Sequence, residues 1–181
     1  MEKFEKIYAA QINTGYENKY IQEFKARHPE IPVKFSFPQR EINERHKGKI
    51  IKKVLPVFPG YIFLEFDVSQ NIYDYLVFFK KGRGFSRFLN SNQNIRLLEG
   101  RDLQIILLLI RRENAVAEIS KARFNEEDKI MITSGALMGL EGEIVKIDRR
   151  KGRAKVRLDL YGEDFSFDLS FETIKSAEQT V

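Results

Sequence analysis

The chain has no cysteine. Disulfide staples, thiolate zinc sites and thiol nucleophiles are excluded together, and the composition suits a reducing cytosol. Histidine is nearly as scarce. His28 and His46 are the only two, one near a helix end and one in a basic loop. Neither has a second ligand at metal-binding spacing, so both read as surface histidines and no metal is expected. Long apolar runs are missing as well: Ile105 to Ile110 is the longest, far short of the roughly 20 residues that span a bilayer. The opening MEKFEKIYAAQ is charged and lacks an apolar core, so it does not read as a signal peptide. No GxxxxGK[ST], no strand-borne GxGxxG and no GxSxG occurs, and Lys81-Gly82-Arg83-Gly84 is a glycine-basic turn rather than a phosphate cradle. No nucleophile stands with a recognisable base. These absences predict a cytoplasmic protein with no membrane segment, no cofactor and no catalytic site.

What is present supports folding. The 181 residues are 43% hydrophobic, enough for a packed core in one medium domain or two small ones. Net charge is +5, and its placement is uneven. Arg40, Arg45, Lys47, Lys49, Lys52 and Lys53 stand in one stretch against Glu41 and Glu44; Arg149, Arg150, Lys151, Arg153, Lys155 and Arg157 form a second with Asp148 as acid neighbour. Such runs read either as solvated loops or as nucleic-acid contacts.

Periodicity divides the chain in two. Lys6 to Ile12 reads as a strand, followed by an Asn13-Thr14-Gly15 break. Thr14 with Glu17 forms a capping-box pattern for a helix that presents Tyr16, Tyr20, Ile21 and Phe24 on one face. His28-Pro29 ends it. Val33 to Phe37 alternates as a half-buried strand, and Gln39 to Lys53 reads as a loop or long hairpin around Gly48. Tyr61 to Phe66 is almost wholly apolar, the pattern of a central strand covered on both faces. Ile72, Tyr75, Leu76 and Phe79 have helical spacing, Phe85 to Leu89 is a short strand, and Asp102 to Arg112 is a helix too apolar for one buried face. A polar linker is expected over 116–125. Beyond it, Lys129–Ile132, Gly142–Ile147, Ala154–Leu158 and Phe165–Leu169 alternate with period two between glycines, the signature of a small β-barrel. The fold class is α+β, with domains at 1–115 and 126–181.

Three segments carry a family resemblance. Ile7-Tyr8-Ala9-Ala10-Gln11 with Thr14-Gly15-Tyr16-Glu17 is similar to the opening strand and turn of the NusG family. Val57-Phe58-Pro59-Gly60-Tyr61-Ile62-Phe63-Leu64 resembles its "fPGYvfv" signature. Gly135 to Val145 resembles the KOW motif, and Gly84 to Leu89 is similar to the family's "GvtgFvg" strand. The resemblance implies an N-terminal NGN domain, an antiparallel sheet flanked by helices, joined to a C-terminal KOW β-barrel. It implies binding to the clamp helices of the largest RNA polymerase subunit through an aromatic and apolar surface at Tyr8, Phe58 and Tyr61, with Ile105, Leu108 and Leu109 of the apolar helix as a further part. Lys80, Lys81, Arg83 and Arg87 flank the segment that in the family lies near non-template DNA.

Two departures separate the chain from the general factor. Leu137, Met138 and Leu140 replace the aromatic residues that meet ribosomal protein or the Rho terminator. The second basic cluster, through Arg149, Arg150, Lys151, Arg153 and Lys155, suits RNA phosphates. A monomeric antiterminator of the LoaP type, reading a nascent RNA hairpin, fits both. The alternatives are a housekeeping NusG and a ribosome-associated KOW protein; the Pro59-Gly60-Tyr61 signature speaks against the latter. Glycines and β-branched residues also favour a β-form of the C-terminal segment over a helical one.

Overall fold

The computed structural model describes residues 5–90 and 93–174. Its first 110 residues contain β1 (Glu5–Ile12), α1 (Glu17–Arg27), β2 (Lys34–Ser36), β3 (Gln39–His46), β4 (Lys49–Pro56), β5 (Tyr61–Asp67), α2 (Leu76–Lys81), β6 (Phe85–Phe88) and α3 (Gly100–Ile110). β7 (Val116–Ala117), β8 (Ser120–Phe124), β9 (Ile130–Ser134), β10 (Ile144–Asp148), β11 (Arg153–Leu160) and β12 (Glu163–Thr173) follow. The N-terminal sheet has the order β2-β5-β1-β6 and is antiparallel throughout.

The continuous apolarity of β5 has the cause its sequence suggests. Alternate side chains of a strand point to opposite faces, and both faces are covered. Ile62, Leu64 and Phe66, with Tyr8, Ala10 and Ile12 of β1, pack on Tyr20, Phe24 and Phe79 of α1 and α2. Phe24 and Phe79 stack there at 4.6 Å. Tyr61 and Phe63, with Ile7 and Ala9, belong to a second cluster that contains α3 and the C-terminal sheet.

The expected capping box does not form. Tyr16 occupies the cap position of α1, without a side-chain capping bond. Glu17 is instead buried, and its carboxylate accepts the Gly60 N–H at 2.6 Å. Gly60 has φ +83°, and a Cβ there would stand 2.9 Å from Thr14 Oγ1. The Thr14–Glu17 and Pro59–Tyr61 segments, distant in sequence, thus close on each other as one piece.

The basic stretch from Gln39 is a regular hairpin. β3 and β4 pair from Gln39↔Pro56 to His46↔Lys49 around the turn residues Lys47 and Gly48, both at positive φ. β7 adds in parallel to β3, giving a sheet of order β4-β3-β7. Residues 116–125, expected as a linker, therefore carry two strands: β7 joins the hairpin and β8 joins the C-terminal sheet. The polar composition misleads because Ser120 and Ala122 point inward while Lys121 and Arg123 are exposed, and the buried Ser120 Oγ accepts the Leu137 N–H at 2.8 Å.

The C-terminal strands form a five-stranded sheet of order β10-β11-β12-β8-β9, curled into a half-barrel. Ala154, Val156, Leu158 and Leu160 of β11 point into it. α3 lies between the two domains. Its Ile105, Ile106, Leu109 and Ile110 are buried in a cluster that holds both Phe63 and the C-terminal Leu137, Leu140 and Leu158.

Candidate functional site

The aromatic signature lies at the seam between the domains. Phe58, on the turn before β5, is 2% exposed. Its ring meets Phe63 at 5.7 Å, and Phe165 and Phe167 of β12 at 5.7 and 5.1 Å, all edge-on. Tyr61 sets its ring edge-on to Phe165 at 5.1 Å. Ile105 and Leu109 of α3 join the same cluster. Four of the six residues expected to meet polymerase are thus brought together, and the C-terminal sheet covers them. Leu108 is half-buried and lines a groove of about 1420 Å³ between α3 and β4, with Val54, Leu103 and Leu107 beside it and Arg101 and Arg112 on its rim.

Tyr8 does not belong with this set. The alternation of β1 turns it to the opposite face of the sheet, where it packs edge-on against Phe66 at 6.1 Å. Its place one residue from Ile7, which does face the seam, is enough to separate it.

Polar contacts lock the seam at its edges. Glu163 at the start of β12 accepts from the Tyr61 hydroxyl at 3.0 Å and from Arg87 Nη2 at 2.7 Å. Burial first, then the bond to Glu163, raises the Tyr61 pKa above its ordinary value. Its own bond to Glu163 raises the Arg87 pKa likewise. At the other end Arg101 donates to Glu143 at 2.9 Å and to the Gly139 carbonyl at 3.2 Å, and Arg112 donates to the Gly135 carbonyl at 3.1 Å. Asp102 sits less comfortably there: burial, followed by Asp159 and Glu143 across the seam, pushes its carboxyl pKa up. Sequence reasoning missed Glu163 as a partner. It lies 102 residues from Tyr61, and nothing local marks it.

The cations expected near DNA do not share one environment. Lys80, Lys81 and Arg83 are exposed at and after the end of α2, with Arg83 lying 5.9 Å from the Tyr16 ring centroid. Arg87 is half-buried, held by Glu163 and by Gln11 at 2.9 Å.

The C-terminal basic cluster is divided likewise. Arg149 donates to Asp128 Oδ1 at 3.1 Å and to its carbonyl at 2.8 Å, with the guanidinium 3.7 Å from the Phe124 ring centroid. Arg150 and Lys151 are exposed on the β10–β11 turn, which Gly152 makes possible: its φ is +60°, and a Cβ there would stand 2.5 Å from the Phe171 carbonyl oxygen. Arg153 Nη2 donates to the Asn43 carbonyl of β3 at 3.4 Å. Ala154 and Val156 turn inward, and the outward-facing cations of β11 are met by acids. The antiparallel register sets Asp168 opposite Lys155, and Asp164 binds Arg157 with both oxygens at 2.9 Å. Acids of β12 thus stand beside the cations of β11, one hairpin turn away.

Among the described residues no helix is long and apolar enough to cross a membrane, and no group of three or more His, Asp or Glu side chains could hold a metal ion.

Comparison with known proteins agrees with this layout. The sequence profile of the family described as "Transcription termination factor nusG" matches residues 5–107, and that of the KOW motif matches residues 128–158. The "Transcription termination/antitermination protein NusG" of Thermus thermophilus is 24% identical over 143 residues, spanning 76% of this chain and 75% of that one. Its counterpart from Staphylococcus epidermidis is 22% identical over 174 residues and spans 93% of both. A solved structure described as "Domain interaction in Thermotoga maritima NusG" shares the fold, with a TM-score of 0.50 and 21% identity over 92% of this chain and 93% of that one. The first profile alone covers more than half of the residues. The chain belongs to the NusG family of transcription termination and antitermination factors, with an NGN domain followed by a KOW domain.

Proposed function

We propose that this factor docks on the clamp helices of the largest RNA polymerase subunit through its NGN domain and binds a nascent leader RNA through the basic turn of its KOW domain, acting in antitermination. Factors of this family act with RNA polymerase. The observation that carries the docking reading is the seam itself: Phe58, Tyr61, Ile105 and Leu109 form one aromatic and apolar face whose cover comes from the other domain. Such a face, once uncovered, is a partner surface. Full docking therefore requires the KOW sheet to lift away, while Leu108 and its groove remain open as the first point of contact. Lys80, Lys81 and Arg83, exposed at and after the end of α2, are the cations that face solvent on the side proposed for the non-template strand.

The RNA reading rests on Arg150 and Lys151, which among the described residues no side-chain acid holds closer than the 4.0 Å between Lys151 Nζ and Asp148. It is favoured over a general factor coupled to ribosome or Rho because the KOW loop offers little to a protein partner: Leu137 and Leu140 are buried and only Met138 is exposed. A photocrosslinker at position 108 should label the clamp helices in an assembled elongation complex, and labelling of another subunit alone would sink the docking assignment. An RNA hairpin should bind the full chain at low salt and lose affinity steeply as salt rises. Salt-independent binding, or none, would return the KOW domain to the general reading.

A further inference from the structure

We infer that the RNA site proposed above is completed by the N-terminal domain: the cleft between the β3–β4 hairpin and the β10–β11 turn holds a backbone phosphate of the RNA. The inference rests on that RNA reading and adds a second wall to it. The cleft has a volume of about 510 Å³ and is lined by Asn43, Glu44 and Ile50 on the hairpin and by Arg150, Lys151 and Arg153 on the KOW side. Lys52 pairs with Asn43 across the hairpin. Paired residues share a face, so Lys52 stands beside the cleft, exposed and without a hydrogen-bond or ion-pair partner among the described residues.

Cations outnumber acids around this cleft, although Glu172 stands beside it and accepts from the Asn43 side-chain amide at 3.5 Å. Glu44 is already held by Lys53 at 2.6 Å. Asp148 accepts the Lys151 N–H at 2.9 Å. Arg150 has no hydrogen bond or ion pair among the described residues. Behind Arg153 lies a second guanidinium, Arg40, close enough for the two to repel, with Asp168 as the nearby acid. Burial, with Arg153 adding to it, pulls the Arg40 pKa down, and Asp168 opposes the change. Buried polar atoms nearly always find a partner. Here Arg40 Nε and Nη1, Arg153 Nε, Asn43 Oδ1 and Ser170 Oγ have none among the described residues. Those N–H groups are sealed from the cleft, but the charge behind them is not: Arg153 lines the opening beside Arg150 and Lys151, with Arg40 next to it, and the summed positive field favours an anion there. The planar fork of arginine suits phosphate oxygens in particular.

The test measures binding of a 20-nucleotide RNA hairpin to the full chain by anisotropy, at several salt concentrations. Lys52→Glu and Asn43→Asp alter the hairpin wall, Arg150→Glu with Lys151→Glu the KOW wall, and Lys19→Glu a remote exposed site. Lys52→Glu should weaken binding roughly tenfold and lower the salt slope by about one. Asn43→Asp should weaken it as well, but its new carboxylate also faces Glu172, which accepts from the Asn43 amide at 3.5 Å, so Lys52→Glu is the variant that decides. If both hairpin variants bind as wild type while the KOW pair loses affinity, the composite site is wrong and the simpler RNA reading stands. If the KOW pair also binds as wild type, both fall. Equal loss in Lys19→Glu would reduce the effect to overall charge, and displacement of the RNA by a poly-glutamate peptide of matched charge would overturn the choice of phosphate.

Discussion

Phe58 shows how much one side chain at the seam holds. Three phenylalanine rings surround it, two of them from the other domain, so Phe58→Ala leaves a cavity rather than a smoother surface. Loss of about 3–5 kcal/mol is expected, read as a lower denaturation midpoint at unchanged slope. A polymerase-binding defect in that variant would then report unfolding. Tyr61→Phe isolates the question better. It keeps the ring against Phe165 and removes only the bond to Glu163, so stability should fall by about 0.5–1.5 kcal/mol with the secondary structure intact. Wild-type stability in Tyr61→Phe would show that this hydrogen bond contributes nothing. The sequence marked both residues through the Pro59-Gly60-Tyr61 signature. It could not say that they are covered, because Phe165 and Phe167 lie about a hundred positions away and no local pattern links them. Tyr8 lies apart from them for a more elementary reason: strand parity places it on the other face.

α3 is the element on which both domains depend, and its excess apolarity was legible as a demand for a second neighbour. The identity of that neighbour was not, since it requires knowing where the KOW sheet folds back. The strands of 116–125 escaped notice similarly: a five-residue alternation of Ser, Lys, Ala, Arg and Phe is weak until its partners in β9 and β12 are known. The charge at the start of α3 gives this packing a pH dependence. Asp102 faces Asp159 and Glu143, and its raised pKa means that the protonated form is favoured when the domains are docked. The contribution is complete below the ordinary carboxylate range and is lost as pH rises through the raised value. Asp102→Asn should therefore tighten docking at neutral pH, by about two- to fivefold after allowance for solvent screening, and flatten the dependence. The favourable effect of an acid in the first turn of a helix acts in docked and undocked forms alike, so it largely cancels. Hydrogen exchange at the Leu109 amide as a function of pH would check this; faster exchange in Asp102→Asn at neutral pH would contradict the sign.

At the scale of the whole molecule, the two proposed interactions oppose each other. The proposed docking of polymerase at Phe58, Tyr61, Ile105 and Leu109 needs the KOW sheet displaced, whereas the proposed phosphate between the β3–β4 hairpin and Arg150 and Lys151 needs it in place. A ligand shifts such an equilibrium only by its preference for one form, so RNA and polymerase should each weaken binding of the other by the same factor. Glu163 is the residue at which to test this. It takes hydrogen bonds from Tyr61 and Arg87 at one edge of the seam and lines neither the RNA cleft nor the groove beside Leu108. Glu163→Ala removes a charged pair and a neutral bond, both half-exposed, and should shift the balance toward the open form by about tenfold. Polymerase affinity then rises and RNA affinity falls, neither by more than that factor. Glu163→Gln, which can still accept from Tyr61, should lie between. Both affinities are measured on the full chain, since an isolated domain has no seam to open. A rise in polymerase affinity with unchanged RNA binding would leave the covered docking surface standing and remove the bridge. Movement of both affinities in the same direction would mean that the two partners do not compete for the arrangement of the domains at all.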